Sequence, residues 1–418
     1  MMRMNTSPNG TGTEKGAILT AFPEDVPFLV RKVLAPTTRI RSGALRITLP
    51  DGRAIHLDSG QPGPQAELVI KDYGFARRLF AGGEIGFGEG YLQGEWESPR
   101  LETLIELMSV NRDVIDEVLP GRFWTRMLQL AGHVLNRNTR TGSRQNIRAH
   151  YDLGNAFYQT WLDHTMTYSA AVFEPGDNDL ASAQTRKYRL LAERAGLQPG
   201  DDVLEIGCGW GGFAEFAAKE LGCKVTGLTI SKEQYDFATE RMRKAGLDDR
   251  VTIAMRDYRD EKGIFDRIVS IEMFEAVGEG FWPGFFRQMR ERLRPGGTAG
   301  LQVITIAERL FPSYRRDVDF IRRYIFPGGM LPTASIMRGL GDKYGLPMLN
   351  EWAFRNDYAA TLAQWRERFL AAWPKLKPLG FDERFRRMWE YYLSYCEGGF
   401  RAGSIDVRQM VFSRPISE

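Results

Sequence analysis

Cysteine is scarce in this chain of 418 residues, where only Cys208, Cys223 and Cys396 occur. Three scattered cysteines give neither a disulfide framework nor the ligand spacing of a zinc site, so we expect a reducing, cytoplasmic setting and no metal. No apolar run approaches the ~20 residues that a membrane span needs. Net charge is also small, because 56 Lys and Arg oppose 53 Asp and Glu for a balance of +3. That balance argues against a general nucleic-acid binder.

Acidic residues are missing from one whole segment, Val118–Tyr151, which contains no Asp or Glu. The same segment carries six arginines: Arg122, Arg126, Arg137, Arg140, Arg144 and Arg148. Within it, the apolar residues of "FWTRMLQLAGHVL" recur at helical spacing. Two interpretations stay open: a linker helix packed on the next domain, or an interfacial helix that meets anionic lipid. The second predicts a peripheral protein at the inner face of the membrane.

Composition and patterning divide the chain into four parts: a disordered tail (1–22), a small N-terminal α+β domain (23–112), an Arg-rich amphipathic linker (113–148) and a larger domain (149–418). The tail is polar and lacks the apolar stretch of a signal peptide. In the small domain, Pro50-Asp51-Gly52 predicts a hairpin turn between two β-rich runs. The stretch "GGEIGFGEGYLQGEW" contains too much glycine to predict regular structure.

The larger domain alternates between strand and helix patterns from about residue 183 onward. Runs such as "DDVLEIG", "KVTGLTIS" and "FDRIVSIEMF" read as strands, and helical patterns of 10–15 residues separate them. This alternation predicts an α/β fold with a doubly wound, mostly parallel sheet. The remaining chain is helical and aromatic-rich, for example "TLAQWRERFLAAW", and we expect it to form a helical lid.

A glycine-rich loop follows the first strand of this domain, at Gly207, Gly209 and Gly212. The G-x-G-x-x-G spacing lets backbone N–H groups and a helix N-terminus approach an anion. Two ligands use this arrangement, a dinucleotide through its pyrophosphate and S-adenosylmethionine through its carboxylate. The glycines alone do not decide between them.

Three surrounding features favour S-adenosylmethionine. A dinucleotide site needs an acid about 20 residues after the glycines, at the end of the second strand, but that strand ends "GLTIS". Glu205 lies inside the first strand and Asp257 ends the third, as in class I methyltransferases. The turn Pro295-Gly296-Gly297 precedes the fifth strand, another feature of that class.

Long motifs in a fixed order make the chain resemble the cyclopropane fatty acid synthase family, which includes cyclopropane-fatty-acyl-phospholipid synthases and mycolic acid methyltransferases. The motifs are "HYDLGNAFYQTWLD", "TYSAAVF", "LEIGCGWGGFA", "GLTISKEQ", "RDYRD", "FDRIVSIEMFEAVG", "YIFPGGMLP", "RFLAAWP" and "CEGGFRAG". The resemblance covers most of residues 145–415, and the small N-terminal domain also looks like that of the phospholipid enzymes.

The resemblance implies transfer of a methyl group from S-adenosylmethionine to a double-bond carbon of a lipid acyl chain. An alkene is a weak nucleophile, so catalysis must come from positioning and from stabilising a carbocation. Unsaturated phospholipid at a membrane surface is then the partner, nucleic acid is not, and a homodimer is left open. The residues that the resemblance assigns to the cofactor are Tyr168, Ser169, Glu205, Gly207, Gly209, Thr229, Gln234, Asp257 and Tyr258.

The sequence departs from the family at the cage that holds a bicarbonate ion, which takes a proton from the methylated cation before the ring closes. Ala170 stands at the family's cysteine, Gln302 at its strand-five histidine and Ala276 at a histidine beside the cage. Three positions are kept: Glu275, Ile304 and Tyr358. Bound bicarbonate is therefore doubtful.

The changed cage favours a reaction that ends without ring closure, in a methyl- or methylene-branched chain or a furan precursor. An ordinary cyclopropane synthase with a drifted site is the alternative. Among the catalytic candidates Glu275, Tyr358, Gln302 and Cys396, the thiol of Cys396 has an inert, buried interpretation at least as strong. Nucleic-acid N-methyltransferases are disfavoured because no Asn/Asp-Pro-Pro-Tyr/Phe motif is present. A methyltransferase acting on a small molecule is a weaker alternative, because it would need neither the N-terminal domain nor the Arg-rich segment. An inactive binding protein is disfavoured because the glycine loop is intact.

Overall fold

A computed structural model describes residues 22–116, 153–176 and 178–416. The contacts divide the chain into two compact units, 1–127 and 128–418. The predicted tail, apart from the buried Phe22, and nearly all of the predicted Arg-rich linker lie outside the described residues. The domain limits drawn from the sequence therefore stay predictions.

The N-terminal unit is built on a four-stranded sheet of order β2-β1-β3-β4. Its strands are β1 (Ala44–Thr48), β2 (Ala54–Asp58), β3 (Gln65–Ile70) and β4 (Trp96–Glu97), and its helices are α1 (Phe28–Leu34), α2 (Phe75–Leu92), α3 (Leu101–Val110) and α4 (Arg112–Asp116). β1 and β2 pair antiparallel, so the hairpin prediction is confirmed. The turn between them uses Gly52 at φ 86°, a conformation that glycine adopts without strain.

The glycine-rich stretch of this unit was expected to lack regular structure, and that expectation is wrong. α2 runs through it, with one non-helical residue at Gly83. A Cβ at Gly86 would lie 1.9 Å from the carbonyl oxygen of Arg78, and one at Gly90 would lie 3.1 Å from Trp96. The glycines thus allow close packing that outweighs their low helix propensity.

The second unit is an α/β domain with a seven-stranded sheet of order β10-β11-β9-β8-β5-β6-β7. Its strands are β5 (Asp202–Ile206), β6 (Lys224–Thr229), β7 (Val251–Met255), β8 (Phe265–Ile271), β9 (Leu293–Ile306), β10 (Met348–Ala353) and β11 (Ile405–Ser413). The five strands from β5 to β9 pair in parallel, and β11 runs antiparallel between β9 and β10. This is the predicted doubly wound, mostly parallel sheet of a class I methyltransferase.

Helices cover both faces of this sheet. They are α5 (Asn155–Gln159), α6 (Leu180–Ala195), α7 (Gly212–Glu220), α8 (Lys232–Ala245), α9 (Trp282–Arg292), α10 (Phe311–Arg316), α11 (Phe320–Tyr324), α12 (Ala334–Lys343), α13 (Arg355–Leu376) and α14 (Glu383–Arg401). Successive residues of β5 alternate between two buried clusters, with Leu204 in the cluster around α9 and Val203 in the one around α6 and α7. Both faces of β5 are therefore buried from Val203 to Ile206, as expected for a parallel strand covered by helices on both sides.

Local signals fix the ends of α6, which precedes β5, and the start of α8, which follows β6. Asp179 caps α6 by accepting from the amide of Ser182, and Gly196 ends it in a left-handed conformation. Ser231 caps α8 in the same way. Caps of this kind each contribute ~1 kcal/mol, and the cap at Ser231 starts α8 directly after the carboxyl end of β6. In the part of the chain that the structure describes, no helix is long and apolar enough to cross a membrane.

Candidate active site

The candidate site lies at the edge of the sheet where the parallel strands β5, β6, β7 and β8 have their carboxyl ends. Ligands of open α/β sheets bind at this edge, near the point where the strand order reverses. Here the reversal falls between β5 and β8, which are neighbours in the sheet although β6 and β7 separate them in the chain. The glycine loop follows β5 at this point.

The glycine loop brings backbone close to open space. Gly207 has φ 83° and Gly209 has φ 53°, so both adopt a conformation that side chains disfavour. The amides of Gly207 and Cys208 donate to the carbonyl oxygen of Leu228 on β6 and fix the loop, at 3.0 and 2.9 Å. A Cβ at Gly209 would meet nothing within 4 Å. A ligand can therefore approach the backbone at Gly209 directly.

Glu205 is a buried carboxylate with an unused atom. The residue is 2% exposed, and its Oε2 has no hydrogen-bond partner. Burial raises its pKa to about 8. An orphaned buried acceptor normally finds a partner, so this atom beside the glycine loop fits a ligand that carries N–H or ammonium groups. Together with the open space at Gly209, it fits S-adenosylmethionine.

The residues assigned to the ribose and adenine side reach the same edge, but with partners of their own. The Thr229 hydroxyl donates to Oε1 of Gln234 at 2.8 Å. The Asp257 carboxylate accepts from the backbone amide and the guanidinium of Arg259. The ring of Tyr258 lies 5.4 Å from that of Phe285, and burial raises the pKa of Tyr258 to about 12. Their roles toward the cofactor stay predictions.

Tyr168 and Ser169 are also held by other side chains. The hydroxyls of Tyr168 and Tyr392 are 2.7 Å apart. Oγ of Ser169 accepts from Nζ of Lys187 at 2.6 Å. Burial lowers the pKa of Lys187 to about 7, so this amine is close to losing its charge at neutral pH.

The centre of the site is Glu272, a residue that the sequence reasoning missed. Its carboxylate accepts three hydrogen bonds: Oε1 from the Ala170 amide and from Nε2 of Gln302, both at 2.8 Å, and Oε2 from the Tyr358 hydroxyl at 2.6 Å. Its own amide donates to the carbonyl oxygen of Gln302 at 2.8 Å. The sequence shows an acid near the carboxyl end of the fourth strand, where ligands of such sheets bind, but it does not show that the strand ends just before Glu272.

Glu275 lies on a short 3-10 helix one turn beyond Glu272. Its Oε1 accepts from the Ile304 amide at 2.5 Å, whereas its Oε2 is buried without a partner. Burial and then the charge of Glu272 raise the pKa of Glu275 to about 8. Two carboxyl groups that interact in this way titrate as a coupled pair, so the second proton is released only at higher pH.

Among the other catalytic candidates, Gln302 and Tyr358 donate hydrogen bonds to Glu272 directly. Cys396 is a different case, because it offers a buried thiol. Gln302 is fully buried, and its Oε1 accepts from Nε2 of Gln409 at 3.0 Å, which fixes its amide as a donor toward Glu272. Burial raises the pKa of the Cys396 thiol far above neutral pH. This disfavours a thiolate nucleophile and agrees with the inert interpretation.

Aromatic rings lie beside the Glu272 carboxylate, starting with Tyr358, whose hydroxyl donates to it. Tyr358 packs on Phe400 with ring centroids 4.5 Å apart, and Tyr168 packs on Trp365 at 5.1 Å. Trp161 joins the same cluster. Aromatic faces attract cations and exclude water. Within the described ranges no group of His, Cys, Asp or Glu could hold a metal ion, and the site offers acid–base groups in an aromatic setting.

Comparison with known sequences gives one consistent family. The family model described as "Mycolic acid cyclopropane synthetase" matches residues 138–410. The tuberculostearic acid methyltransferase UfaA1 of Mycobacterium tuberculosis is 40% identical over 382 residues, which is 88% of this chain and 88% of that protein. The cyclopropane-fatty-acyl-phospholipid synthase of Escherichia coli K12 is 38% identical over 355 residues, covering 84% of this chain and 88% of that protein.

Solved structures agree with the sequence comparison. The cyclopropane synthase MmaA2 of Mycobacterium tuberculosis matches with a TM-score of 0.61 at 31% identity, over 64% of this chain and 97% of that one. The mycolic acid cyclopropane synthase CmaA1 complexed with SAH and CTAB matches equally well, with a TM-score of 0.61 at 31% identity and the same coverage. SAH (S-adenosylhomocysteine) is what remains of S-adenosylmethionine after methyl transfer, so its presence in CmaA1 supports S-adenosylmethionine as the methyl donor here.

Proposed function

Because this chain belongs to the mycolic acid cyclopropane synthetase family and is an S-adenosylmethionine-dependent methyltransferase, we propose that it methylates a double-bond carbon of an unsaturated acyl chain in a membrane phospholipid. The product is a methylene-branched or methyl-branched chain. The observation that carries the proposal is the pair Glu272 and Glu275, two buried carboxyl groups at the ligand-binding edge, the first of which accepts from the aromatic side chain of Tyr358.

This arrangement suits the chemistry of an alkene. S-adenosylmethionine supplies an electrophilic methyl group, and the π electrons of the double bond form the new C–C bond while sulfur keeps the electron pair of the broken one. The neighbouring carbon becomes a cation. The Glu272 carboxylate and the faces of Tyr358 and Trp365 stabilise that positive charge, and the buried setting excludes water that would trap it.

The branched outcome is supported by the changed residues around Glu272. Ala170 and Gln302 stand where the family has a cysteine and a histidine. UfaA1, whose name describes a methyltransferase, is one of the similar proteins. The cyclopropane alternative has its own support, since Glu275, Ile304 and Tyr358 are kept and the similar Escherichia coli protein is named a cyclopropane-fatty-acyl-phospholipid synthase.

Membrane association is proposed from the Arg-rich segment between Val118 and Tyr151. Each basic residue near an anionic surface contributes ~1 kcal/mol. Replacing Arg137, Arg140 and Arg144 with Gln should weaken binding to anionic vesicles, and added salt should weaken it too. Equal binding to anionic and neutral vesicles would contradict this and would favour the linker interpretation.

Product analysis tests the proposed function. The purified protein is incubated with S-adenosylmethionine and vesicles of a phospholipid with monounsaturated chains, and the acyl chains are then examined by NMR. Signals of a methylene group or a branched olefin are expected. Cyclopropane signals alone would establish the alternative, and unmodified chains would overturn the proposal.

A further inference from the structure

We propose that Glu272 is the catalytic base that removes the proton from the methylated carbocation, so that the reaction needs no dissolved oxyanion. This inference rests on the proposed function, because it assigns a role within the same reaction. It applies whether the proton loss leaves a branched chain or closes a ring.

The position of the Glu272 carboxylate carries the first step of the argument. Three donors converge on it from separate parts of the domain: the Ala170 amide before α6, Gln302 on β9 and Tyr358 on α13. A cage of donors around a planar carboxylate is what a small oxyanion requires. Here the oxyanion is part of the chain, and the donors that would hold a dissolved ion are occupied.

The backbone conformation of Glu272 is unusual and supports a functional role for this residue. The backbone angle φ of Glu272 is 49°. This value lies in the left-handed region, which residues other than glycine, Asn and Asp rarely adopt. Such a conformation costs on the order of 1–3 kcal/mol and persists where surrounding contacts determine it. The three donors supply those contacts, and glycine would fit the same backbone without strain.

The two carboxyl groups have different roles. Burial raises the pKa of both, but the donors Tyr358 and Gln302 oppose this rise at Glu272. Glu275 receives one amide hydrogen bond, and the charge of Glu272 raises its pKa further. Glu272 is therefore the more acidic member of the pair, and Glu275 holds its proton more tightly. A base whose pKa lies above the ordinary carboxyl value is better suited to proton abstraction near neutral pH.

The step balances within the proposed reaction. The carbocation loses a proton from a carbon next to the charge or from the transferred methyl group. The electron pair of that C–H bond becomes the new C=C bond or the third C–C bond of a ring. The proton passes to a carboxylate oxygen of Glu272, which becomes neutral, and solvent takes it up after product release. No oxidant or reductant is needed.

Two substitutions at Glu272 test the proposal, with S-adenosylhomocysteine formation as the rate and lipid NMR as the product readout. Glu272→Gln keeps the shape and its NH2 group can donate to the Tyr358 oxygen, but it cannot accept a proton. Glu272→Gly relieves the backbone and opens the donor cage to added bicarbonate or formate. Glu279→Gln is the matched control, because Glu279 lies on the same connection and pairs with Arg315 at 2.9 Å, away from the carboxylates.

All assays are run in buffer stripped of bicarbonate and again with bicarbonate or formate added. We expect wild type and Glu279→Gln to be equally active in both, and Glu272→Gln to be slower by a factor on the order of 10²–10⁴. Glu272→Gly should be inactive alone and regain activity with either ion. Cofactor binding by calorimetry should be kept in both variants.

Three results would overturn the proposal: wild type that stops when bicarbonate is removed, Glu272→Gln as active as wild type, or Glu272→Gly that neither ion improves. These three results bear on Glu272 only if the wild type methylates lipid in at least one of the two buffers. Wild type that methylates no lipid with or without bicarbonate would instead overturn the proposed function, so the two failures are distinguishable.

Discussion

Replacing Tyr358 with Phe removes one hydrogen bond from the proposed base and leaves the ring in place. The Tyr358 hydroxyl donates to Oε2 of Glu272 at 2.6 Å, and the ring packs on Phe400 at 4.5 Å. Phe keeps that packing. The substitution therefore acts on the Glu272 carboxylate and adds no cavity beyond one oxygen atom.

The expected effect follows from the hydrogen bond that is lost. A hydrogen bond to a charged group contributes ~1.5–3 kcal/mol, and one pKa unit corresponds to ~1.4 kcal/mol. The bond from Tyr358 favours the ionised form of Glu272 and lowers its pKa. Without it, the pKa of Glu272 should rise by roughly 1–2 units.

The assay is the pH dependence of S-adenosylhomocysteine formation with unsaturated phospholipid vesicles. Activity needs ionised Glu272, so the rise of the rate with pH should move to higher pH by the same amount, while the rate at high pH falls much less. Tyr188→Phe is the control, because its buried hydroxyl lies 2.7 Å from Oγ1 of Thr167 instead. An unshifted profile in Tyr358→Phe, with the rate lowered equally at every pH, would refute the role of Glu272.

Three further predictions concern the cofactor and the cage. Gly209→Val should abolish S-adenosylmethionine binding, measured by calorimetry, because the valine side chain enters the open space beside the loop. Gly246→Val is the control, since Gly246 has a similar φ of 66° and equally open surroundings; this variant should be less stable but keep its affinity. Equal affinities of the two variants would contradict the assigned loop. Binding of S-adenosylmethionine near pH 7 should release a proton, because the pKa of Glu275 is about 8 and the sulfonium charge lowers it. Calorimetry in buffers of different ionisation enthalpy measures this, and equal proton release with S-adenosylhomocysteine, which lacks the sulfonium charge, would contradict it. Combining Ala170→Cys and Gln302→His with Glu272→Gly should give an enzyme whose lipid methylation depends on bicarbonate, and bicarbonate-independent activity of that variant would count against the cage described here.

Most of the fold could be predicted because strand and helix periods are local properties of the sequence. The alternating runs from residue 183 onward predicted the parallel sheet, and the turn at Pro50-Asp51-Gly52 predicted the hairpin. The helix through the glycine-rich stretch could not be predicted in this way. Its formation depends on contacts of Gly86 and Gly90 with Arg78 and Trp96, which propensity does not contain.

The site shows the same division between local and tertiary information. The glycine loop and Glu275 are recognisable from motifs. Glu272 was read as part of a continuous strand, "FDRIVSIEMF", because nothing in the letters shows that β8 ends at Ile271 and that the next residue turns to φ 49°. Its importance depends on three donors distant in the chain, and only the folded structure brings them together.

Deuterium labelling in bicarbonate-free buffer tests the central claim most directly. The protein is supplied with S-adenosylmethionine carrying a CD3 group and with unsaturated phospholipid vesicles, and the acyl products are analysed by mass spectrometry and NMR. We expect labelled branched chains, with all three deuterium atoms kept in a methyl-branched olefin and two kept in a methylene-branched chain. Acyl chains that take up no label, or that take it up only after bicarbonate is added, would contradict a methyltransferase that uses its own carboxylate as the base.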